Sequence, residues 1–412
     1  VLLALLLAQV LQPASPEGPL VTNPATMWSP AFFEAFPANG RGTFGPCSTT
    51  PPTGAKGEAL IFARSSVATC TKSAAGGNAT TGIASGDLVE LTNNQPRVEY
   101  DSTSVASLRV EGPAQNINPR FIDFTNAAYA DVGTPTPTTG QASPFSGTYA
   151  TSAVMYDDND PAGFEGRTIT LTVTAGQPYT AHCYVRAGTL AKARIVLDGT
   201  AATLTGLSAA TWSIIEATDA SASAASVVFE IDNGAIAADT GSVIWGGCDV
   251  KLGTYRTTIV PTNGTPVTRG AERAYFTGSF PSGTQCLAST REGPVAAETQ
   301  VWALTVTNPA GAGYGLGHYR TAGGFFSLIT ATVPVLSYGA TLDGTDRVWM
   351  AADGTTISGA FAGATNSVAS ATTPSAATAL CVGADCVSGS SSGHANGLIN
   401  RIIYDVTTTR CR

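Results

Sequence analysis

The chain has 412 residues, more than one ordinary hydrophobic core accommodates, and at roughly 150 residues per domain it is expected to form two or three. Only 12% of the residues are charged, while 45 glycines, 24 prolines and abundant Ala, Thr and Ser stand where amphipathic helices would need Glu, Lys and Arg, so long helices are excluded and short strands favoured. A net charge of -8 with only 21 Lys and Arg excludes nucleic acid as a partner, because phosphate binding needs clustered cations.

In chain order, VLLALLLAQVLQ opens with an apolar run over Val1–Leu7 that is too short to cross a bilayer. It suits either the core of a secretion signal or a short apolar peptide docked into an assembly. Residues 13–55 are rich in Pro, Gly and Asn around the aromatic cluster MWSPAFFEAF, and the segment 1–55 is read as a signal or an attachment arm. From 56 to 106, ALIFARSSVATC, DLVEL and PRVEYD alternate like short antiparallel strands between Gly- and Asn-containing turns. Residues 107–271 carry RTITLTV, YTAHCYVRAG, KARIVLDG, ASVVFEID and GSVIWGGCDVKLG at the spacing of a jelly roll, with Ile169, Leu171 and Val173 on one face. A second module, 272–412, follows the turn-rich PTNGTPVTRGAER with strands around AYFTGSF, TQVWALTVT, GFFSLIT, RVWMAADG and LINRIIYDV. The predicted fold is all-β: two β-sandwich, jelly-roll modules in series after a small N-terminal strand and loop region.

The eight cysteines are Cys47, Cys70, Cys183, Cys248, Cys286, Cys381, Cys386 and Cys411. Zinc sites need close pairs on both sides of the metal, and only Cys381 and Cys386 approach that spacing, so disulfides are the better account. Pairing within each module gives Cys47–Cys70, Cys183–Cys248, Cys286–Cys411 and Cys381–Cys386, and implies oxidising surroundings.

Three clusters are candidate sites. YDDNDPAGFEG gathers Asp157, Asp158, Asp160 and Glu165, which could ligate a structural Ca²⁺ or form a solvated turn. GYGLGHYR brings Tyr314, His318, Tyr319 and Arg320 among glycines, either a ligand-binding stretch or a plain hairpin loop. Trp245, Trp302 and Trp349 sit inside strand patterns and read as core rather than as sugar-stacking platforms. Catalysis has no constellation to support it: His182, His318 and His394 are the only histidines, and none lies in a G-x-S-x-G or H-E-x-x-H context. No catalytic residue and no cofactor beyond that Ca²⁺ is expected.

Several phrases taken in order resemble a family of phage and prophage tail-fibre and virion proteins. Arg64, Ser65, Ala68 and Thr69 match its first strand motif, Pro96, Arg97, Tyr100 and Asp101 its second, and Glu111, Asn116, Phe124, Asn126 and Ala127 its third. Ala114 stands where the family carries Arg, which removes one ion-pair partner of Glu111, and Tyr129 where it carries Trp. YTAHCYVRAG, TWSIIEAT and VIWGGCDVKLG look like that family's carbohydrate-binding-module-like jelly roll, and LCVGADCVSGSSSGHANGLINRIIYD like the closing strands of a laminin-G or concanavalin-A-like sandwich. The resemblance implies a non-enzymatic tail-fibre or virion surface protein. It would be attached to other virion proteins through its N-terminal segment, permit a homotrimer and bind cell-surface glycan. A secreted bacterial lectin-like adhesin and a purely structural coat or filament subunit are the alternatives. Either way the protein is expected on a virion or outside the cell.

Overall fold

A computed structural model describes residues 47, 61–72, 80–100 and 106–280 and, beyond them, the strands 285–293, 301–307, 314–321, 324–328, 335–337, 344–352, 356–361, 364–369, 377–382 and 397–405. Among the described residues all regular structure is β except one 3-10 turn at Gly147–Tyr149. The strands begin with β1 (Ile61–Ala63), β2 (Ala68–Thr71), β3 (Leu88–Leu91), β4 (Arg97–Tyr100), β5 (Ala106–Val110) and β6 (Ala114–Asn116). Next come β7 (Ala130–Val132), β8 (Thr136–Gln141), β9 (Ala153–Asp158), β10 (Gly166–Thr172), β11 (Tyr179–Ala187), β12 (Lys192–Leu197), β13 (Thr200–Thr205), β14 (Ser213–Asp219), β15 (Ser226–Asn233) and β16 (Gly241–Leu252). The last group is β17 (Val267–Arg269), β18 (Arg273–Phe280), β19 (Gln285–Gly293), β20 (Val301–Thr307), β21 (Tyr314–Thr321), β22 (Gly324–Leu328), β23 (Val335–Ser337), β24 (Gly344–Ala352), β25 (Thr356–Phe361), β26 (Ala364–Ala369), β27 (Ala377–Val382) and β28 (Gly397–Asp405).

Ten of these strands make the jelly roll, as two five-stranded sheets in the orders β13-β12-β15-β10-β7 and β14-β11-β16-β9-β8. Period-two alternation puts one apolar set inward: Ile169, Leu171, Ile195, Leu197, Phe229 and Ile231 from the first sheet meet Val154, Tyr156, Val185, Trp245 and Val250 from the second. Burying each of these larger side chains stabilises the fold by roughly 1.5–3 kcal/mol before chain entropy is counted. Cys183 and Cys248 are direct cross-strand partners on β11 and β16, and their disulfide sits fully buried in this core. It closes a separation of 65 residues, worth about 4 kcal/mol in the chain-entropy view.

Two local devices fix the jelly roll's register. Asp198 and Gly199 link β12 to β13 with φ of 47° and 82°, the pair of positive values that a two-residue hairpin turn needs, and Asp-Gly is a sequence that adopts them readily. In VIWGGC, Gly247 has φ of 130° where the pairing of β11 with β16 shifts register between Cys183 and Val185. A Cβ on Gly246 would lie 2.7 Å from the Trp212 ring and 2.5 Å from Pro144, so only glycine lets those groups close over the sheet.

The second sandwich has two seven-stranded sheets, β1-β18-β27-β20-β21-β22-β23 and β26-β25-β24-β19-β28-β5-β4. β19 lies against β20 and β21, and β23 against β25 and β26, which stacks the sheets face to face. Three of its strands come from before the jelly roll: β1 pairs with β18 (Ile61↔Tyr275), β5 with β28 (Leu108↔Ile399), and β4 with β5. The expected boundary at 106/107, with 56–106 as a unit of its own, therefore needs correction. β5 straddles it, and the C-terminal sandwich is assembled from both sides of the inserted jelly roll. Strands of three to five residues cannot form a stable sheet alone, and pairing them onto β18 and β28 covers edges that would otherwise be open. The β2–β3 hairpin goes elsewhere, onto the jelly roll, where Ile83 bridges to Trp212 and Leu88 to Phe145.

A buried ion network ties the segments that precede the jelly roll to those that follow it. Arg97 uses all of its donor nitrogens: Nε and Nη2 grip both oxygens of Glu272 at 2.8 and 2.6 Å, Nη2 also reaches Glu111 at 2.8 Å, and Nη1 donates to Thr258 Oγ1 and the Thr69 carbonyl. Arg64 donates to Glu272 at 2.9 Å and to the carbonyls of Ser66, Thr92 and Gln95. Arg109 pairs with Glu99 and Glu111, and Arg269 with Glu111 at 2.6 Å. These side chains are 0–4% exposed. Burial alone would raise both carboxyls, but Arg97 and Arg269, with Arg109 at Glu111 and Arg64 at Glu272, hold Glu111 well below and Glu272 below the usual carboxylate range. Glu111 thus has three arginines although Ala114 supplies none.

Removing one member of such a network leaves its partners charged and dry, a loss of about 3–5 kcal/mol. Glu272→Gln is expected to lower the unfolding free energy obtained from urea titration of the whole chain by that amount; a change below about 1 kcal/mol would mean that the network is dispensable. A fragment of residues 272–412 lacks β1, β4 and β5 together with Arg64 and Arg97. It is expected to give poorly dispersed amide spectra, and a well-dispersed one would refute the nested assembly.

Candidate functional site

The two outer faces of the jelly roll differ. On the β14-β11-β16-β9-β8 sheet, Tyr184, Trp212 and Ile244 are buried under Ile83, Leu88, Phe121 and Phe145, with Phe121–Phe145 and Phe145–Tyr184 in edge contact at 5.3 and 5.9 Å. Arg186 stacks over Trp212 at 5.0 Å, and the Trp212 Nε1 donates to Ser85. His182 lies on the same face, 1% exposed, and burial together with Lys251 and Arg256 pushes its imidazole well below its usual range. A neutral, enclosed ring there is a packed residue, as its place beside Cys183 suggests.

The outer face of β13-β12-β15-β10-β7 is open. Alternation turns Thr170 and Thr172 of β10, Ser226 and Val228 of β15, and Thr203 and Thr205 of β13 toward solvent, and Val228 is 46% exposed. Toward one end of this face stands a compact polar group. Arg194 of β12 and Asp232 of β15 are direct cross-strand partners joined at 2.7 Å, with Glu230 at 3.5 Å from the same guanidinium nitrogen. The Arg194 guanidinium lies 4.1 Å from the centroid of the Phe164 ring, a close cation–π stack. Gly166 makes this packing feasible: it pairs with Asp232, and a Cβ there would collide with the Ile231 carbonyl at 1.8 Å.

Asp232 is the unusual member. It is fully buried; one carboxylate oxygen is held by Arg194, and the other has no hydrogen-bond partner. Burial, then the Glu230 carboxylate beside it, push it up to about 8, with Asp158 adding in the same direction against the opposing pull of Arg194. Asp158, at the rim where β9 leaves the sandwich, is pushed up to about 6, chiefly by burial, and its Oδ2 is also unpartnered.

The acidic loop marked as a Ca²⁺ candidate has a local explanation in part. Glu165 accepts hydrogen bonds from Thr134 N and Oγ1 and from Asn159 N, which outweigh burial and hold its carboxyl below the usual value. Asp158 Oδ1 accepts from Asp160 N, and Asp160 Oδ1 from Ala162 N, an ordinary pair of turn contacts. Asp157 stays in β9, opposite Thr136 and Ser242. Among the described residues no group of three or more His, Cys, Asp or Glu is arranged to hold a metal ion.

Tyr314, His318, Tyr319 and Arg320 all lie in β21, a strand hydrogen-bonded on both sides, to β20 and β22, and not in a hairpin loop. Trp302 and Trp349 lie in β20 and β24, and Trp245 is fully buried. Cys47–Cys70 is a disulfide that anchors residue 47 to β2. Cys381 is disulfide-bonded, while Cys386, Cys411 and the segment 1–46 fall outside the described residues, and with them the attachment-arm reading. The sequence reading missed Arg194, Glu230, Asp232 and Phe164. Their one signal was charge on the polar parity of KARIVL and VVFEID, because the ion pair joins residues 38 apart.

No protein-family model and no curated protein matches the chain. Among solved structures it is similar to the CBM40 module of the Ruminococcus gnavus IT-sialidase bound to α2,3-sialyllactose, at 14% identity and TM-score 0.28 over 31% of this chain and 77% of that one. It is similar also to the CBM22-1–CBM22-2 tandem of Paenibacillus barcinonensis Xyn10C, at 10% identity and TM-score 0.25 over 73% and 100%. A third likeness is to domains LG4-5 of the mouse laminin α1 chain, at 10% identity and TM-score 0.24 over 67% and 92%.

A carboxyl raised by folding stabilises the native state most below its unfolded pKa, near 4, and that contribution is lost as pH rises through its folded value. The Asp232 contribution is therefore lost between about pH 4 and pH 8. The urea midpoint of the wild type is expected to fall from pH 6 to pH 9, and Asp232→Asn to flatten that fall; parallel curves for the two proteins would refute the assignment.

Proposed function

We propose that this protein is a non-enzymatic glycan-binding protein displayed outside the cell or on a particle surface, and that it takes its ligand on the open face of the β13-β12-β15-β10-β7 sheet. One observation carries the reading. Arg194, fixed by Phe164 and Asp232, stands beside Glu230 at 19–22% side-chain exposure on a sheet face that also turns Thr170, Thr172, Thr203, Thr205, Ser226 and Val228 to solvent. Sugar hydroxyls pair well with such a planar donor flanked by carboxylate acceptors, and the threonine hydroxyls extend the polar surface along the strands. The neighbouring face of the jelly roll is covered, which leaves this one free for a ligand.

Glu230 and Asp232 are also the paired carboxylates that glycoside hydrolysis would need. Their setting argues for binding instead: one Asp232 oxygen is held by Arg194 and the other is enclosed, so the carboxyl has no path by which to protonate a leaving group. The tail-fibre form of this role is supported by the order of the Arg64, Arg97 and Glu111 motifs, and the disulfides fit an oxidising exterior. The full chain on a glycan array is expected to retain a defined set of oligosaccharides. Arg194→Ala should weaken that binding at least tenfold, with the eluted sugars unchanged in mass. Uniform absence of binding would favour a purely structural coat role, and shortened sugars would make the protein a hydrolase.

A further inference from the structure

The disulfides Cys47–Cys70 and Cys183–Cys248 stand in opposite settings, and the geometry points to Cys47–Cys70 as a clasp that a thiol reductant opens without unfolding the body, freeing the chain N-terminal to β1. Cys183 and Cys248 are cross-strand partners inside the jelly-roll core, both with no exposure, between its two sheets. No reductant reaches those sulfurs until the sandwich itself opens. Cys47 is 8% exposed and belongs to a small cluster with Cys70, Leu91 and the half-buried Val89. Besides the disulfide, one bond among the described residues fixes it, from its N–H to the Val98 carbonyl at 2.8 Å. Breaking that bond lets residue 47 lift, still tethered, and presents its sulfur to an attacking thiolate, an opening far smaller than the parting of a sheet. Its φ of 61° lies in the left-handed region, where a residue with a Cβ is held at a cost, so residue 47 relaxes away from β2 once the bond to Cys70 is cut.

Residue 70 does not depend on this bond. β2 is paired with β3 along its whole length, Thr69 Oγ1 donates to the Ile259 carbonyl, the Thr69 carbonyl accepts from Arg97, and the Thr71 N–H donates to Glu99. The disulfide therefore holds residue 47 and not the strand to which it is joined. Its exchange with a dithiol runs in two steps. One thiolate attacks the Cys47 sulfur, forms a mixed disulfide with it and expels the Cys70 sulfur, which takes up a proton. The second thiol of the reductant then attacks the reductant's own sulfur in that mixed disulfide and releases Cys47 as a thiol, so that two electrons pass to the protein and the dithiol closes to its disulfide. Cys70 is left fully buried against Leu91 and Val89, where apolar surroundings favour the neutral thiol, and it stays inert until residue 47 returns. The chain keeps both disulfides in oxidising surroundings and opens this one on passing to reducing ones.

The test exposes the folded full chain to dithiothreitol at about pH 8, where thiols begin to ionise, traps the freed cysteines with iodoacetamide and follows them by peptide mass spectrometry. Cys47 and Cys70 are expected to be labelled at least about a hundredfold faster than Cys183 and Cys248, because the first pair needs a local opening and the second the loss of the core. Hydrogen exchange of the reduced chain should leave β2 and β3 as protected as before. Chymotryptic cleavage after Phe44, three residues before the clasp, should quicken roughly tenfold on reduction. Cys47→Ser should fold and match the reduced wild type in both readouts. Labelling of all four cysteines at one rate overturns the clasp, as does cleavage after Phe44 that is indifferent to reduction. Loss of β2 protection on reduction, or failure of Cys47→Ser to fold, also overturns it and makes the bond a structural staple.

Discussion

The bidentate grip of Arg97 on Glu272 is the constraint on which the architecture depends. Arg97 lies on a strand before the jelly roll, and Glu272 at the start of the first long strand after it. Their union forces the chain to leave the second sandwich, build a complete ten-stranded module and return to within a hydrogen bond of where it left. Ion pairs this dry contribute little net stability compared with an apolar core. They do supply direction, since a guanidinium with every donor used accepts one geometry, whereas apolar surfaces slide.

That return has consequences for the jelly roll. Because both ends of the insert are held at one place, the segments flanking it, including the β2–β3 hairpin, are laid across one sheet, and their Ile83, Leu88 and Phe121 close over Trp212 and Tyr184. The opposite sheet has no such neighbour among the described residues. Its freedom follows from the chain path, and threonine, serine and valine line it beside the Arg194 and Lys192 ion pairs.

Much of the fold was legible in the sequence. Period-two alternation placed Ile169 and Leu171 in the core, and charge-poor, glycine-rich composition ruled out helices. What was not legible was which short strand pairs with which. β1 and β5 look self-contained in sequence because alternation reports a face, never a partner, and their partners lie beyond an insert of more than a hundred residues. The motif residues Arg64, Arg97 and Glu111 were visible as a pattern, and the structure makes them members of the buried network. Of the candidate site, the sequence marked Asp158 and Glu165 through their density in one loop. It passed over Arg194 and Asp232, each an isolated charge in a strand, whose meaning appears only when β12 and β15 are laid side by side.

The molecule contains two buried groupings of arginine and carboxylate, and their opposite electrostatics separate scaffold from site. Around Glu111 and Glu272, four arginines outnumber three carboxylates, and both acids are held as anions in spite of burial. Around Asp232 one arginine serves two carboxylates, burial prevails, and the carboxyl is pushed up toward neutrality with an acceptor oxygen left over. In the first group every carboxylate is gripped by arginine, the members coming from both sides of the jelly roll, and its role is to hold those segments in place. The second group, kept at the edge of an open sheet by a stacked ring and a cross-strand pair, leaves Arg194 and Glu230 partly exposed, and these are the charged groups it presents to solvent. The unpartnered Asp232 oxygen beneath them costs stability that the large jelly-roll core and its disulfide offset.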